Sequence, residues 1–397
     1  MPSRKANNIT LPFGSESELK KYLEGTVTTS LHQLIRVTVN LVVKEEMKEF
    51  REDVRSQVGA LQFNGSYNRD MKAPLGMIRD VPVPRFRDSV SGYTPTSLSV
   101  FSEQEEQFMR LVSEMHRLGV SQRKVAGIAK TCFGITLSAN RVGYVYRELA
   151  EKEEAQINTR PLSGAYQYLY LDGVFVRTKG YGWDANKSVL LCALGVTPEG
   201  KREIIGFAVA DSESYDNWHE LLLSLKQRGM TGEQLKLAVS DGADGLIGAL
   251  KQLFPDLPHQ TCIMHKMRNV IGATSHKNKA GIAEDLKTAY NQETVEEALE
   301  SFKALTKQWY LMEPAAVEIL KHNLQSTLTY YIFKKEEWHK VRTNNVLERE
   351  FRELRRRINV MDSSFNDRDS ASRYAAATFS YLNQNYPATR RTLHTNA

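Results

Sequence analysis

Cysteine is scarce in this 397-residue chain: Cys132, Cys192 and Cys262 stand far apart in the sequence. That excludes a disulfide-stapled scaffold and suits a reducing cytosol. It also leaves Cys262 and His265, spaced Cys-x-x-His, without the second pair that a structural zinc site needs. Long apolar runs are missing as well. The longest, around Val189 to Val196, is much too short to span a bilayer, and the opening Met-Pro-Ser-Arg-Lys-Ala-Asn-Asn carries no apolar h-region. Neither secretion nor membrane insertion is expected, and the expected location is the cytoplasm. Charge of one sign is only slightly in excess. Lys and Arg number 53 against 47 Asp and Glu, giving +6 and a pI near 9.0, which permits a polyanionic partner without demanding one.

What is present, 41% hydrophobic and 25% charged residues, fits a soluble globular chain of two or three domains. Residues 1–60 are expected to be a helical region for packing or dimer contact, since Leu31, Leu34, Ile35, Val39, Leu41, Val42, Met47 and Phe50 recur at helical spacing. Over 61–100 the texture turns to Asn, Gly, Pro and Arg around Val-Pro-Val-Pro-Arg-Phe-Arg-Asp, an extended basic arm. There Arg85 and Arg87 either follow a DNA backbone or sit in a solvated loop. Residues 101–158 divide into three helical pieces, with Ser121 and Ser138 as N-caps and Gly119 and Gly134 as stops. The spacing suits a helix-turn-helix whose third piece presents Asn140, Arg141, Tyr144 and Arg147 to a DNA groove. Any small three-helix module would share that pattern. Arg160-Pro161-Leu162-Ser163-Gly164 reads as a linker.

From 164 to 397 the order of elements carries more information. Strands are expected over Tyr166 to Arg177, Ser188 to Thr197 and Arg202 to Asp211, then a helix from Tyr215 to Arg228 and a fourth strand from Leu235 to Ser240. A further helix, a short strand near His259 to Ile263, and a mainly helical stretch at about 270–340 lead to a last arginine-rich helix. Three antiparallel-looking strands followed by alternating helix and strand is an α/β arrangement of ribonuclease H-like order, a mixed sheet with a helical insertion.

Three acids stand in distinctive settings: Asp172 in Tyr-Leu-Tyr-Leu-Asp, Asp241 closing Leu-Ala-Val-Ser-Asp, and Glu348 in Arg-Thr-Asn-Asn-Val-Leu-Glu-Arg. A carboxylate buried in a strand is costly unless something neutralises it. If the fourth strand pairs in parallel with the first, Asp241 comes beside Asp172. Glu348 sits at the edge of the stripe Leu347, Phe351, Leu354 and Ile358, where a helix meets a cleft. Converging, the three make a hard-oxygen site suited to Mg²⁺ or Mn²⁺ and phosphate chemistry. Taken singly, each acid also has a plain alternative, as turn residue, helix N-cap, or partner of Arg352. Asp244, in the first turn of a helix, is ordinary dipole compensation.

At these residues the chain resembles the Mutator-like class of bacterial insertion-sequence transposases, a branch of the DDE transposases. The matching blocks are Tyr-Leu-Tyr-Leu-Asp172-Gly-Val-Phe-Val-Arg, Val-Ser-Asp241-Gly-Ala-Asp-Gly-Leu, Cys262-Ile-Met-His265-Lys-Met-Arg-Asn, and the block around Glu348. One departure is the Gly-x-Phe-Pro tail usual after the last helix, here Met-Asp-Ser-Ser-Phe-Asn-Asp. The resemblance implies that Asp172, Asp241 and Glu348 are the catalytic, metal-holding triad, with two ions per site. It implies cleavage and strand transfer at the ends of an insertion sequence. Its partners would be double-stranded DNA, as terminal inverted repeats and target, and further copies of the chain in a homodimer or larger synaptic assembly. Cys262 and His265 then become supports of the site, with core packing as the alternative. Arg268, Arg352 and Arg355 are phosphate contacts, or a solvated face paired with Glu350 and Glu353. Trp309 and Trp338 either stack on an unpaired base or fill the core. Two other classes remain open: a nuclease or resolvase that cuts without joining, and a non-catalytic DNA-binding regulator.

Overall fold

The computed structural model describes residues 63–73, 76–86, 96–162, 166–179, 185–361 and 365–385, with scattered positions between 41 and 52. The expected helical region 1–60 lies largely outside the described residues. Positions 41, 42, 45, 46, 48, 49 and 52 are helical, and Leu41 and Val42 are exposed. The chain divides into two compact units, Met1–His116 with Val120–Val145, and Arg117–Gly119 with Tyr146–Ala397.

In the first unit, the expected arm is an antiparallel pair, β1 (Phe63–Ala73) and β2 (Gly76–Phe86). Pro82 and Pro84 are tolerated because each strand of a two-stranded ribbon is an edge. Three helices follow: α1 (Thr96–Arg117), α2 (Gln122–Phe133) and α3 (Ala139–Thr159), the last running on into the second unit. Ser121 caps α2 by accepting from the Lys124 N–H, and Gly134 ends it at φ 63°, a conformation open to glycine. Ser138 Oγ accepts from the Arg141 N–H at 3.1 Å. Phe108 packs edge-to-face on Phe133, and Val112, Val125, Ala129, Ile135 and Val142 are buried in the same unit.

The second unit is built on a five-stranded mixed sheet of order β5-β4-β3-β6-β7. Its strands are β3 (Tyr168–Lys179), β4 (Ala185–Val196), β5 (Arg202–Ala210), β6 (Leu237–Ser240) and β7 (His259–Thr261). β3, β4 and β5 are antiparallel neighbours, while β3–β6 and β6–β7 are parallel. Consequently β3, β5, β6 and β7 all run the same way and their following loops share one end of the sheet. Helices α4 (Tyr215–Gln227) and α5 (Asp244–Leu253) cover one face, burying Trp218, Leu221, Leu222, Leu225, Leu246 and Leu250 against Leu169, Leu171 and Leu191. The other face carries Tyr168, Tyr170, Val174, Leu190 and Cys192 into a larger core with the helical stretch. That stretch comprises α6 (Ile263–Gly272), α7 (Lys279–Tyr290), α8 (Val295–Trp309), α9 (Pro314–Lys321) and α10 (Trp338–Val341). It leads to α11 (Asn345–Met361) and α12 (Arg368–Asn385).

The sheet's geometry leaves a gap. β6 pairs with β3 only from Tyr168 to Tyr170, so the remaining length of β3 lacks a parallel neighbour. The chain around α11 fills it from both ends. Asn344 Nδ2 donates to the Leu171 carbonyl at 3.0 Å, and Phe365 exchanges backbone hydrogen bonds with Arg177 and Lys179. A 17-residue helix is about 25 Å long, and Leu171 to Thr178 of an extended strand covers about 23 Å, so α11 fits along the open edge.

At the far edge, His259 Nε2 lies 2.7 Å from Ser240 Oγ, which also accepts from the Gly242 N–H. Burial, then the Lys251 charge, lowers the His259 pKa to about 4 from 6.5. The unfolded chain therefore binds a proton that the folded one refuses between those values. Stability present above pH 6.5 is lost as pH falls toward 4, by about 3 kcal/mol. His259→Gln, which cannot titrate, should flatten this acid limb in thermal melts taken across that range. An unchanged limb would show that another group sets it.

Candidate active site

Asp172 lies within β3 just past the point where pairing with β6 stops and the sheet opens. Asp172 lies on β3 on the face shared by Tyr168, Tyr170 and Val174, because side chains alternate at period two. It is 6% exposed, and its Oδ1 accepts from the Gly173 N–H at 3.0 Å. Burial, then repulsion from Asp241, and further from Glu213 and Glu348, pushes its carboxyl well above the usual range, against the pull of that one N–H. Asp241 follows β6 directly, and its Oδ1 accepts from the Ala243 N–H at 3.0 Å in a turn that Gly242 makes possible at φ 91°. Glu348 stands in the first turn of α11, held there because Leu347, Phe351 and Leu354 are buried in the core beside it.

A cleft of about 300 Å³ is lined by Asp172, Gly173, His265, Arg268, Glu348, Phe351, Arg352 and Arg355. Two of the three acids thus share it. Asp241 lines a separate, smaller cavity of about 150 Å³ with Lys266, His322 and Asn323, yet its charge is felt by Asp172, Glu213 and His265. His265 Nε2 lies 3.4 Å from Glu348 Oε1, and Arg268 Nη2 lies 3.9 Å from the same oxygen. Burial lowers the His265 pKa, while Glu348 and Asp241 pull it back up. Arg352 and Arg355 are exposed and reach the cleft. Arg356 is instead paired with Glu353 at 2.8 Å. Cys262 is fully buried behind the site.

Sequence reasoning missed a fourth acid. Glu213 lies just before Ser214, the N-cap of α4, in the loop after β5. Its carboxylate covers Gly173: a Cβ there would come within 2.3 Å of Glu213 Oε1. Burial, then Asp241, raises its pKa to about 7. Element order alone brings the loop after β5 to the same end of the sheet as the loop after β6, but nothing local in the sequence singles out Glu213 within it.

Other expected residues lie elsewhere. Trp309 is 7% exposed in the helical stretch, its ring against Gly281 and its Nε1 donating to Asp285 Oδ2 at 2.7 Å. It is a core residue, and burial removes the ring face that stacking on a base would need. Trp338 is half-buried against Tyr330 and Tyr331, with Nε1 donating to the Phe333 carbonyl. Asn140, Arg141, Tyr144 and Arg147 are all exposed on α3, the Arg141 guanidinium 5.1 Å from the centre of the Tyr144 ring. Asp244 accepts from Asn323 Nδ2 and lies 3.7 Å from His322.

A family model described as "Transposase, Mutator family" matches residues 14–389. The transposase of insertion sequence element IS256 in transposon Tn4001 from Staphylococcus aureus is 28% identical over 380 residues, covering 93% of this chain and 94% of its own. The transposase for IS1081 from Mycobacterium tuberculosis is 29% identical over 373 residues, 94% of this chain and 87% of its own. That for IS905 from Lactococcus lactis is 27% identical, over 81% and 79%.

The repulsion around Glu213 has a measurable consequence. A raised carboxyl pKa favours folding fully below the unfolded value near 4.5, and that advantage is lost as pH rises through about 7. Glu213→Gln should therefore stabilise the ion-free protein at pH 8, on the order of 1 kcal/mol once solvent screening of a half-exposed group is allowed for, and do nothing at pH 4.5. Equal melting shifts at both pH values would contradict this.

Proposed function

This chain belongs to the Mutator family of transposases, and from that premise we propose that it is a DDE transposase, cutting DNA at the ends of an insertion sequence and joining them to a target. The observation that carries the reading is the convergence of Asp172 and Glu348 on one cleft, with Asp241 close enough to perturb Asp172. The sheet order, three antiparallel strands extended by two parallel ones, supports a ribonuclease H-like catalytic domain.

The donor set fits hard divalent ions. It consists of carboxylate oxygens, among which Asp172 is repelled by Asp241 and Glu348 and has one backbone N–H to offset that repulsion, which is the state a cation relieves. Among the described residues no three acid, His or Cys side chains stand ready-made around one ion. Asp172, Asp241 and Glu348 are the residues that would hold two Mg²⁺ or Mn²⁺. Such ions, when bound, lower the pKa of an attacking water or DNA 3′-hydroxyl and stabilise the leaving oxygen of an in-line displacement.

The protein's own groups do the positioning. Arg268, Arg352 and Arg355 ring the cleft and would seat the phosphates flanking the scissile bond. His265, beside Glu348, holds that carboxylate toward the cleft. Asn140, Arg141, Tyr144 and Arg147 on α3 offer an exposed polar face for a DNA groove. Because two element ends must meet, the active species is a dimer or larger assembly.

The test is an element-end duplex with a target plasmid and Mg²⁺, scored for cleaved and joined product. Asp172→Asn, Asp241→Asn and Glu348→Gln should each lose both products by about a hundredfold or more, since each removes ligand charge worth several kcal/mol in the transition state. DNA affinity should be retained. Mg²⁺-dependent cleavage by Asp172→Asn at the wild-type rate would sink the assignment, and cleavage without joining by the wild type would make the chain a nuclease. Arg352→Ala or Arg355→Ala should weaken binding to any duplex alike and lower the salt slope by about 1.

A further inference from the structure

We propose that Cys262 and Asn344 form a buried staple that sets the spacing of the three carboxylates, so that both are positioning residues and not contacts to DNA or ion. The proposal rests on the triad reading above.

The staple is a path of hydrogen bonds between the elements that carry the acids. The Cys262 N–H donates to the Ser240 carbonyl at 2.7 Å, one residue before Asp241. Cys262 Sγ accepts from the Asn344 N–H at 3.2 Å. Asn344 Nδ2 donates to the Leu171 carbonyl at 3.0 Å, one residue before Asp172. The Asn344 carbonyl accepts from the Glu348 N–H at 3.1 Å. Thus one residue pair, through one backbone or side-chain bond at each step, joins the residue preceding each aspartate to the helical turn that bears the glutamate.

Three features make this more than incidental packing. First, Asn344 bonds β3 at Leu171, one residue beyond Tyr170, where pairing with β6 stops. It therefore stands in for the missing strand at the point where the catalytic end of the sheet opens. Second, Asn344 and Cys262 are both fully buried, which removes them from any direct role toward a polyanion in the cleft. Third, Asn344 Oδ1 has no hydrogen-bond partner among the described residues. An unpaired buried oxygen is a cost that an apolar residue would avoid, so packing alone does not account for the amide; its donor does. Two further bonds hold the approach to Asn344, one to β3 and one to the start of α6: Tyr170 Oη donates to the Lys340 carbonyl at 2.8 Å, and the Ile263 N–H donates to the Arg342 carbonyl at 3.1 Å.

A small displacement of any one carboxylate would spoil ion binding, because groups that orient ligands matter nearly as much as the ligands. Removing the staple should act on the ion and on turnover and leave DNA affinity alone.

The experiment uses the full chain in four variants: Asn344→Ala, Cys262→Ala, Cys262→Ser and Glu348→Gln. For each, Mn²⁺ binding without DNA, duplex affinity, turnover at saturating duplex, and melting temperature are measured. Asn344→Ala and Cys262→Ala should weaken Mn²⁺ binding and lower turnover by about 10- to 100-fold each, with duplex affinity within about twofold. Cys262→Ser keeps an acceptor for the Asn344 N–H and should recover most of the loss. Wild-type Mn²⁺ binding and turnover in Cys262→Ala would overturn the staple, as would a Cys262→Ser variant no better than Cys262→Ala. If Asn344→Ala does not fold, the two Cys262 variants decide alone. Glu348→Gln separates the two levels: if it binds Mn²⁺ and turns over like wild type, the triad reading falls and the staple with it. If it fails while Asn344→Ala and Cys262→Ala are unaffected, only the staple falls.

Discussion

Everything at this site depends on holding like charges together in a place with little water. Asp172 is almost wholly buried, and Asp241, Glu213 and Glu348 all repel it. Left to itself such a group would move apart or take up protons. What prevents the first is the rigidity of the parallel strands β3 and β6 and the helix clamped along their open edge. The second is the tendency seen in the raised pKa values of Asp172 and Glu213. The fold stores repulsion that a divalent cation would relieve, a common trade of stability for chemistry.

The clamp comes from topology. β6 is four residues long and leaves β3 unpaired beyond Tyr170, so the polypeptide has to satisfy that edge from elsewhere. It does so with segments flanking α11, the Asn344 amide at one end and Phe365 at the other. The same solution carries Glu348 into the cleft. A strand edge needing partners and a carboxylate needing a scaffold are thus served by one helix, which presents Arg352 and Arg355 to the same cleft as Glu348.

Much of this was legible in the residues. The aspartates announced themselves because a charged side chain in Tyr-Leu-Tyr-Leu-Asp and Leu-Ala-Val-Ser-Asp defies the burial that its neighbours demand, whereas the parallel pairing of β3 with β6 was only a condition of the sequence reading, which the structure meets. Glu348 was visible from the stripe Leu347, Phe351 and Leu354. Glu213 was not, because Asp-Ser-Glu-Ser-Tyr looks like any polar loop with a helix cap. Its role depends on Gly173 leaving room beneath it, a relation across 40 residues that no local pattern encodes. Asn344 was hidden for a similar reason: its partner is a backbone carbonyl, which has no sequence signature. Trp309 went the other way, since a tryptophan's burial is set by tertiary packing and its indole N–H found Asp285 within the helical stretch.

The most direct test of the account is to locate the ion. Anomalous scattering from crystals of the chain grown with Mn²⁺ and an element-end duplex should place manganese within ligating distance of Asp172, Asp241 and Glu348, at the mouth of the cleft lined by Arg352 and Arg355. Manganese bound elsewhere, with those three carboxylates free of it in a complex that still cuts DNA, would contradict the account.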